Sequence, residues 1–272
     1  MSDHLLFREG QPLAWLYHRN TCRWIFNTLD PDEELHPPEP GKEYPSALTI
    51  PLPQTSVEGN LVRLLERRAS CRAFSDQGLT FEQLAAVLSA AYGIVEVSEL
   101  GALEFIERPV PSGGGLYPLE LYVIANSVGR LSSGVYHFHP VGGLLEQLRE
   151  GAVPRALLTY LFMGQEYISR AGAIVVTTAV WGRSLGKYGD RGYRYLLFEA
   201  GHVAQNIDLA AVEVGLGACN LGGFFDDELA ALLTIDIEYE MPLYATAIGF
   251  PTGGTKAEQR AVSLSGPDVR AG

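Results

Sequence analysis

Between about Arg191 and Val214 the chain repeats apolar residues at helical spacing: Leu196, Ala200, Val203, Ile207, Ala211 and Val214. Apolar residues three and four apart line one face of a helix, so this stretch is read as the longest helix of the chain, with that face in a core. Shorter signals surround it. NLVRLLERR, from Asn60, reads as an amphipathic helix. Thr80-Phe81-Glu82-Gln83 reads as a capping box opening the helix FEQLAAVLSAAYG, which Gly93 closes. Residues 152–164 suggest another helix, and DDELAALL a short one whose first-turn acids suit the helix dipole. ELYVIAN, GVYHFHP and YATAIGF read as strands, and AIVVTTAVW as a buried strand. Strands and helices interleave without a regular βαβ repeat, and no internal repeat is visible. The expected fold class is therefore α+β, with one domain over residues 57–272. The preceding residues 1–56 include PDEELHPPEPGKEYPSALTIPLP, rich in proline and acid, and read as an N-terminal extended arm.

Composition narrows the partners. A formal net charge of −12 over 272 residues repels nucleic acid and anionic membrane surfaces. No apolar run is long enough to span a bilayer. The opening MSDHLLFREG mixes Asp3, His4, Arg8 and Glu9 and does not read as a signal peptide. The three cysteines Cys22, Cys71 and Cys219 are odd in number and form no C-x-x-C pair, so a reducing cytoplasm is expected rather than a disulfide framework.

Against that acidic background, RRASCRAF gathers Arg67, Arg68 and Arg72 around Ser70 at the turn after a helix. Arginine forks match phosphate oxygens, and Ser70 adds a hydroxyl donor, so the segment reads as a local anion site. The plainer alternative is a helix C-terminus neutralised by cations. PSGGGLYP, Pro111 to Pro118, is a glycine triplet bounded by prolines and leading into a strand. Glycines lacking Cβ let the backbone approach a planar ligand, and a simple flexible turn is the alternative. GKYGDRGYRY places Lys187 and Tyr188 among arginines and tyrosines just before the long helix. A lysine near other cations has a lowered pKa and can act as a base, and a neighbouring tyrosine can relay a proton; a solvated basic turn is the alternative. GLGACNLGGF, Gly215 to Phe224, follows a helix, which is the wrong context and spacing for a dinucleotide fingerprint. A nicotinamide site of the Rossmann kind is rejected, while the glycine-rich edge remains able to offer N–H donors to a flavin ring. Glu199 and His202 form an E-x-x-H pair, but no second pair is present, so a polar helix stripe is preferred to a metal site. His137 and His139 alternate on a strand without an evident third ligand and read as surface histidines; no metal is expected.

In this order the segments resemble the nitroreductase superfamily, and within it the SagB-type azoline dehydrogenases. The resemblance runs from about Leu16 to Pro251. It begins with a YH-x-x-T element, Tyr17-His18-Arg19-Asn20-Thr21. The family's R-x-S-x-R/K-x-F signature is met by Arg68, Ser70, Arg72 and Phe74, and the resemblance implies that these hold the phosphate and ribityl end of FMN, with Arg67 beside them. It places Pro111, Ser112, Gly113 and Gly114 against the isoalloxazine ring, and makes Gly222 and Gly223 the counterparts of the backbone facing flavin N5. K-Y-G-x-R-x-Y-R-Y followed by E-x-G-H-x-x-Q-N marks the azoline dehydrogenase branch, so Lys187 and Tyr188 are the catalytic candidates. Simple nitroreductases carry basic phosphate ligands near the C-terminus, where this chain offers Lys256 and Arg260. The implied fold is an antiparallel sheet packed by helices, in an intertwined homodimer with FMN at the interface. The implied activity is oxidation of thiazoline or oxazoline rings on a peptide or carrier-bound substrate. Two other readings stand beside it: an NAD(P)H-dependent nitro or quinone reductase on the same fold, and a flavin-free scaffold subunit of a peptide-modifying complex.

Overall fold

The structure, a computed structural model, describes residues 12–22, 46, 50–52, 59–100 and 103–253. Most of the expected N-terminal arm lies outside these residues, as do Lys256 and Arg260. Within that stretch the chain is helical rather than extended over Pro12–Thr21, helix α1. Tertiary contacts hold it there. Ala14 and Cys22 are buried, the Ala14 N–H donates to Asp190 Oδ1 at 2.8 Å, and the Arg19 fork meets both oxygens of Asp227 at 2.6 and 3.1 Å.

Helices α2 (Asn60–Arg67) and α3 (Phe81–Tyr92) precede a small hairpin of β1 (Glu96–Leu100) and β2 (Leu103–Glu107). The main sheet follows, from β3 (Leu119–Ala125), β4 (Gly134–His139) and β5 (Leu144–Glu150), then α4 (Arg155–Leu161) and β6 (Ala173–Val180). Helices α5 (Trp181–Tyr188) and α6 (Gly192–Glu213), strand β7 (Gly217–Leu221), α7 (Asp226–Leu233) and β8 (Glu240–Gly249) complete it. The six strands lie in the order β5–β4–β3–β6–β8–β7, every neighbour antiparallel. This is the α+β antiparallel class the sequence predicts.

The sheet is covered on both faces, which explains the unbroken apolar run of β6. Ala173, Val175 and Ala179 turn to one core, with Leu121 and Val123 of β3, under α3 and α6. Ile174 and Val176 turn to the other, with Tyr122 and Ile124, under α4 and α7. A strand buried on both sides has no polar face to alternate with. Helix α6 presents Leu196, Ala200, Val203, Ile207 and Ala211 to the first core, the residues its periodicity selects, and Val214 packs at the margin.

The capping box is present as expected. Gln83 N donates to Thr80 Oγ1 at 3.1 Å and Thr80 N donates to Gln83 Oε1 at 2.9 Å. Gln83 Nε2 also donates to the carbonyl of Val214 at 2.9 Å, tying the start of α3 to the end of α6. Besides the β1–β2 hairpin, three further elements carried no sequence signal. Strand β5 is exposed almost throughout, so burial imposes no pattern on it. Strand β7 reads GACNL, and its glycine is a poor strand former. Helix α5 contains Gly182 and Gly186, which penalise a helix, and it has no side-chain cap.

Losing a side-chain cap costs about 1 kcal/mol. Thr80→Ala should lower unfolding stability by that amount in a denaturant titration. Gln83→Ala should lower it further, because the Val214 carbonyl loses its donor as well.

Candidate active site

The residues singled out by sequence fall into two groups, seated towards the two ends of α6. The first surrounds the glycine loop. Gly113–Gly115 form a single 3₁₀ turn in which Gly114 has φ +69°, a left-handed conformation that favours glycine. The loop is fastened through Ser112. Its hydroxyl oxygen accepts from Tyr117 N at 2.9 Å, and its side chain lies close to Glu199. Glu199 also accepts from the Tyr92 hydroxyl at 2.7 Å, and that hydroxyl accepts from Leu119 N at 3.2 Å, where β3 begins. Glu199 is thus buried, not part of a polar stripe as its sequence context suggests. Burial raises its pKa above the ordinary carboxylate value, against the opposing pull of Ser112 and Tyr92.

Lys187 and Tyr188 sit on the last turn of α5, not in an open turn. They close directly over the glycine loop. A Cβ on Gly114 would stand 2.5 Å from Tyr188 Oη and 2.7 Å from Lys187 Nζ, so a larger residue there would have to displace the ends of both side chains. A Cβ on Gly113 would stand 3.3 Å from the Tyr195 ring. Tyr188 meets Tyr195 edge-on, with centroids 5.0 Å apart, and Lys187 Nζ lies 5.3 Å from the Tyr188 ring centroid. Lys187, Tyr188, Gly113 and Gly114 are therefore neighbours, and Pro111 is exposed at the loop's start. Beside the loop opens a cleft of about 830 Å³, lined by Arg108, Gly114, Tyr117, Glu120, His137 and Arg183. His137 is half-buried here between Glu120, at 3.0 Å, and Glu146, at 2.8 Å, rather than free on the surface. The bond to Glu120 is the main cause raising its pKa.

The second group lies along β7. Cys71 N donates to the Ala218 carbonyl at 2.8 Å, and Ser70 forms a parallel bridge to the same residue. That pairing lays the arginine segment against the sheet edge. Arg67 is exposed on the last turn of α2, and Arg68 Nη1 lies 3.8 Å from Asp208 Oδ2. Arg72 lies close to Tyr167 and Cys219. Gly222 and Gly223 follow β7 directly, Gly222 exposed and Gly223 half-buried. A Cβ on Gly223 would stand 3.3 Å from Met163 Sδ, and one on Gly222 would stand 3.8 Å from the Tyr244 ring.

Asp208, which sequence reasoning passed over, is the unexpected member. Asn220 Nδ2 donates to its Oδ2 at 3.0 Å, and Thr246 Oγ1 donates to Asn220 Oδ1 at 2.7 Å. Its Oδ1 is buried with no hydrogen-bond partner among the described residues. Burial pushes its carboxyl up to about 6, against the pull of Arg68 and Asn220. A carboxylate one position after Ile207 on an apolar helix stripe was the available signal.

Two guanidinium forks and a hydroxyl at one end, and side-chain-free backbone at Gly222 and Gly223, fit a flat ligand carrying a phosphate. Within one chain the two groups are set apart. Tyr195 and Asp208 are thirteen positions apart on α6, about 20 Å of helix rise.

The nitroreductase family profile matches residues 65–250. A protein of Methanocaldococcus jannaschii named as a nitroreductase is 35% identical over 202 residues, covering 74% of this chain and 96% of that protein. The microcin B17-processing protein McbC of Escherichia coli is 28% identical over 148 residues, covering 53% of this chain and 54% of that protein, so the match spans about half of McbC. Among solved structures, a chain of the Escherichia coli microcin synthetase McbBCD complex, with truncated pro-MccB17 bound, superposes with a TM-score of 0.63 at 22% identity. That match covers 93% of this chain and 100% of the other.

The raised pKa of Asp208 has a signed consequence. Between its ordinary value and about 6 the folded chain holds a proton that the unfolded chain releases, so this contribution to stability falls as pH rises through that window. Asp208→Asn removes the ionisation. From about pH 4 to about pH 7 the variant should gain about 2 kcal/mol relative to the wild type, both measured by denaturant unfolding in the same cofactor state. A pH-independent difference between the two proteins would show that Asp208 does not titrate there.

Proposed function

The chain belongs to the nitroreductase family, and from that premise we propose that it is an FMN-dependent dehydrogenase that oxidises thiazoline or oxazoline rings to azoles. The observation that carries this reading is the contact of the Lys187 amine and the Tyr188 hydroxyl with Gly114 of the glycine loop. A general base and a hydroxyl held against a wall built for a planar ligand suit removal of a ring proton. FMN would supply the acceptor for the hydride that leaves with it, since azoline-to-azole conversion removes one proton and one hydride.

In this reading Arg68, Ser70 and Arg72, with Arg67 at the margin, hold the phosphate and ribityl end. Gly222 and Gly223 allow the backbone to reach the ring and offer N–H donors to its polar edge. Pro111, Ser112, Gly113 and Gly114 form the opposing wall, held by the Tyr117–Ser112 bond with the buried Glu199–Tyr92 pair close by. Lys187 takes the proton and Tyr188 orients or relays it. The separation of the two groups along α6 supports a homodimer in which one copy's loop faces the other copy's arginines. Phe198, 59% exposed on α6, is an apolar surface for such a contact. A peptide or carrier-bound azoline as substrate draws support from McbC, whose name is that of a microcin B17-processing protein. Molecular oxygen would serve as terminal oxidant. Cys22, Cys71 and Cys219 are all free and buried, in keeping with a cytoplasmic site of action, and no helix among the described residues is long and apolar enough to cross a membrane.

A nitro or quinone reductase driven by NAD(P)H is the second reading, favoured by the match to nearly the whole length of the archaeal relative. Anaerobic mixing with NADPH separates the two. Rapid bleaching of the flavin supports the reductase, and indifference to nicotinamide with azoline-dependent bleaching supports the dehydrogenase. A colourless protein that takes up no added FMN would leave only the flavin-free scaffold reading.

Lys187→Ala should retain FMN and its visible spectrum while losing at least about 100-fold in azoline turnover. Loss of flavin from that variant would reassign Lys187 to cofactor binding. Arg68→Ala should instead weaken FMN binding about 10–100-fold, read by quenching of flavin fluorescence on titration.

A further inference from the structure

His18 and Cys22 are four residues apart, and Cys22 N donates to the His18 carbonyl at 3.0 Å, so both side chains lie on one face of α1. Asp226, the first residue of α7, faces them across the junction of the two helices. One ligand atom from each, an imidazole nitrogen, a thiol sulfur and a carboxylate oxygen, lies within 4.8 Å of the other two. We propose that His18, Cys22 and Asp226 form a binding site for a zinc-class divalent cation that clips α1 to α7.

The donor set fits that ion. Thiolate, imidazole and carboxylate are the three side-chain classes that bind Zn²⁺, and three protein ligands leave a fourth position for water. A thiolate and a carboxylate together neutralise a 2+ charge, which makes the assembled centre compatible with burial. Tetrahedral ligation at about 2.0–2.3 Å from the metal places ligand atoms about 3.3–3.8 Å apart, so three atoms all within 4.8 Å of one another need to close by at most about 1.5 Å. His18 and Cys22 are buried, at 4% and 2% exposure, and Asp226 is half-buried, leaving a side for the ion to enter.

His18 Nδ1 meets the Tyr193 hydroxyl at 2.9 Å; with Nδ1 as the donor the ring would be fixed and Nε2 left to ligate. His18 packs edge-on against Trp181, with centroids 5.0 Å apart, and Trp181 stacks on Tyr193 at 6.0 Å. Trp181 begins α5 and Tyr193 lies in the first turn of α6. The cation would therefore brace the corner from which Lys187 and Tyr188 project. Beside it, Arg19 and Asp227 already join the same two helices, so the ion strengthens an existing junction.

None of the three ligands belongs to the flavin-site candidates, so cation and flavin binding are separable measurements. The test is to purify the full-length protein without chelators, strip it, and titrate it with Co²⁺ as a spectroscopic stand-in for zinc. One equivalent should bind with a near-ultraviolet thiolate-to-cobalt band, Zn²⁺ should displace it, and zinc should raise the unfolding midpoint. Cys22→Ser should abolish the band, and Asp226→Asn should weaken binding at least about tenfold. Wild-type protein that binds no cobalt, or binds it without the thiolate band, overturns the site, as does a band that survives in Cys22→Ser. Should Cys22→Ser fail to fold, Asp226→Asn decides: affinity equal to wild type removes the carboxylate from the site and the proposal with it.

Discussion

Helix α6 lays Leu196, Ala200, Val203, Ile207 and Ala211 against the sheet, each no more than 4% exposed. Burying each of the larger side chains contributes about 1.5–3 kcal/mol, and the helix is held in register by several at once. That seating places the polar residues of α6 where the surface could not. Glu199 and Asp208 go into the interior with the apolar stripe, and each must find donors there. Glu199 finds Tyr92, with Ser112 beside it, and Asp208 finds Asn220. One helix thus carries a buried carboxylate next to the glycine loop and another next to the arginine segment.

The two buried carboxylates are differently satisfied. Glu199 is bonded by Tyr92 of α3 and lies beside Ser112 of the loop, so it is satisfied where the loop meets the fold. Asp208 keeps one oxygen unpartnered among the described residues and stands 3.8 Å from Arg68, so its charge competes with any anion for that guanidinium. A carboxyl raised to about 6 makes that competition sensitive to pH in the range where enzymes work. Buried charge in this chain thus concentrates beside the candidate cofactor residues, in line with the tendency of shifted groups to gather at functional sites.

The α5–α6 corner ties the remaining features together. Its outer side carries Lys187 and Tyr188 over Gly114, and its inner side packs Trp181 and Tyr193 against His18. Helix α1 closes the corner from behind, through Asp190 and Asp227. The N-terminal helix is therefore continuous with the architecture of the site even though it lies outside the span of the family match.

Much of this was legible from local spacing. The helical stripe of α6, the capping box at Thr80, the strands β3, β4, β6 and β8, and the α+β class all follow from periodicities and turn chemistry contained within a few residues. The glycine loop and the arginine segment were visible for the same reason. Strand β7 and helix α5 were not, because their glycines oppose the conformations that packing imposes. The roles of Glu199 and Asp208, the proximity of Lys187 to Gly114, and the meeting of His18 and Cys22 with Asp226 depend on residues far apart in sequence. Only the tertiary structure decided those, since a side chain's spacing says which face it occupies but not what the rest of the chain sets against it.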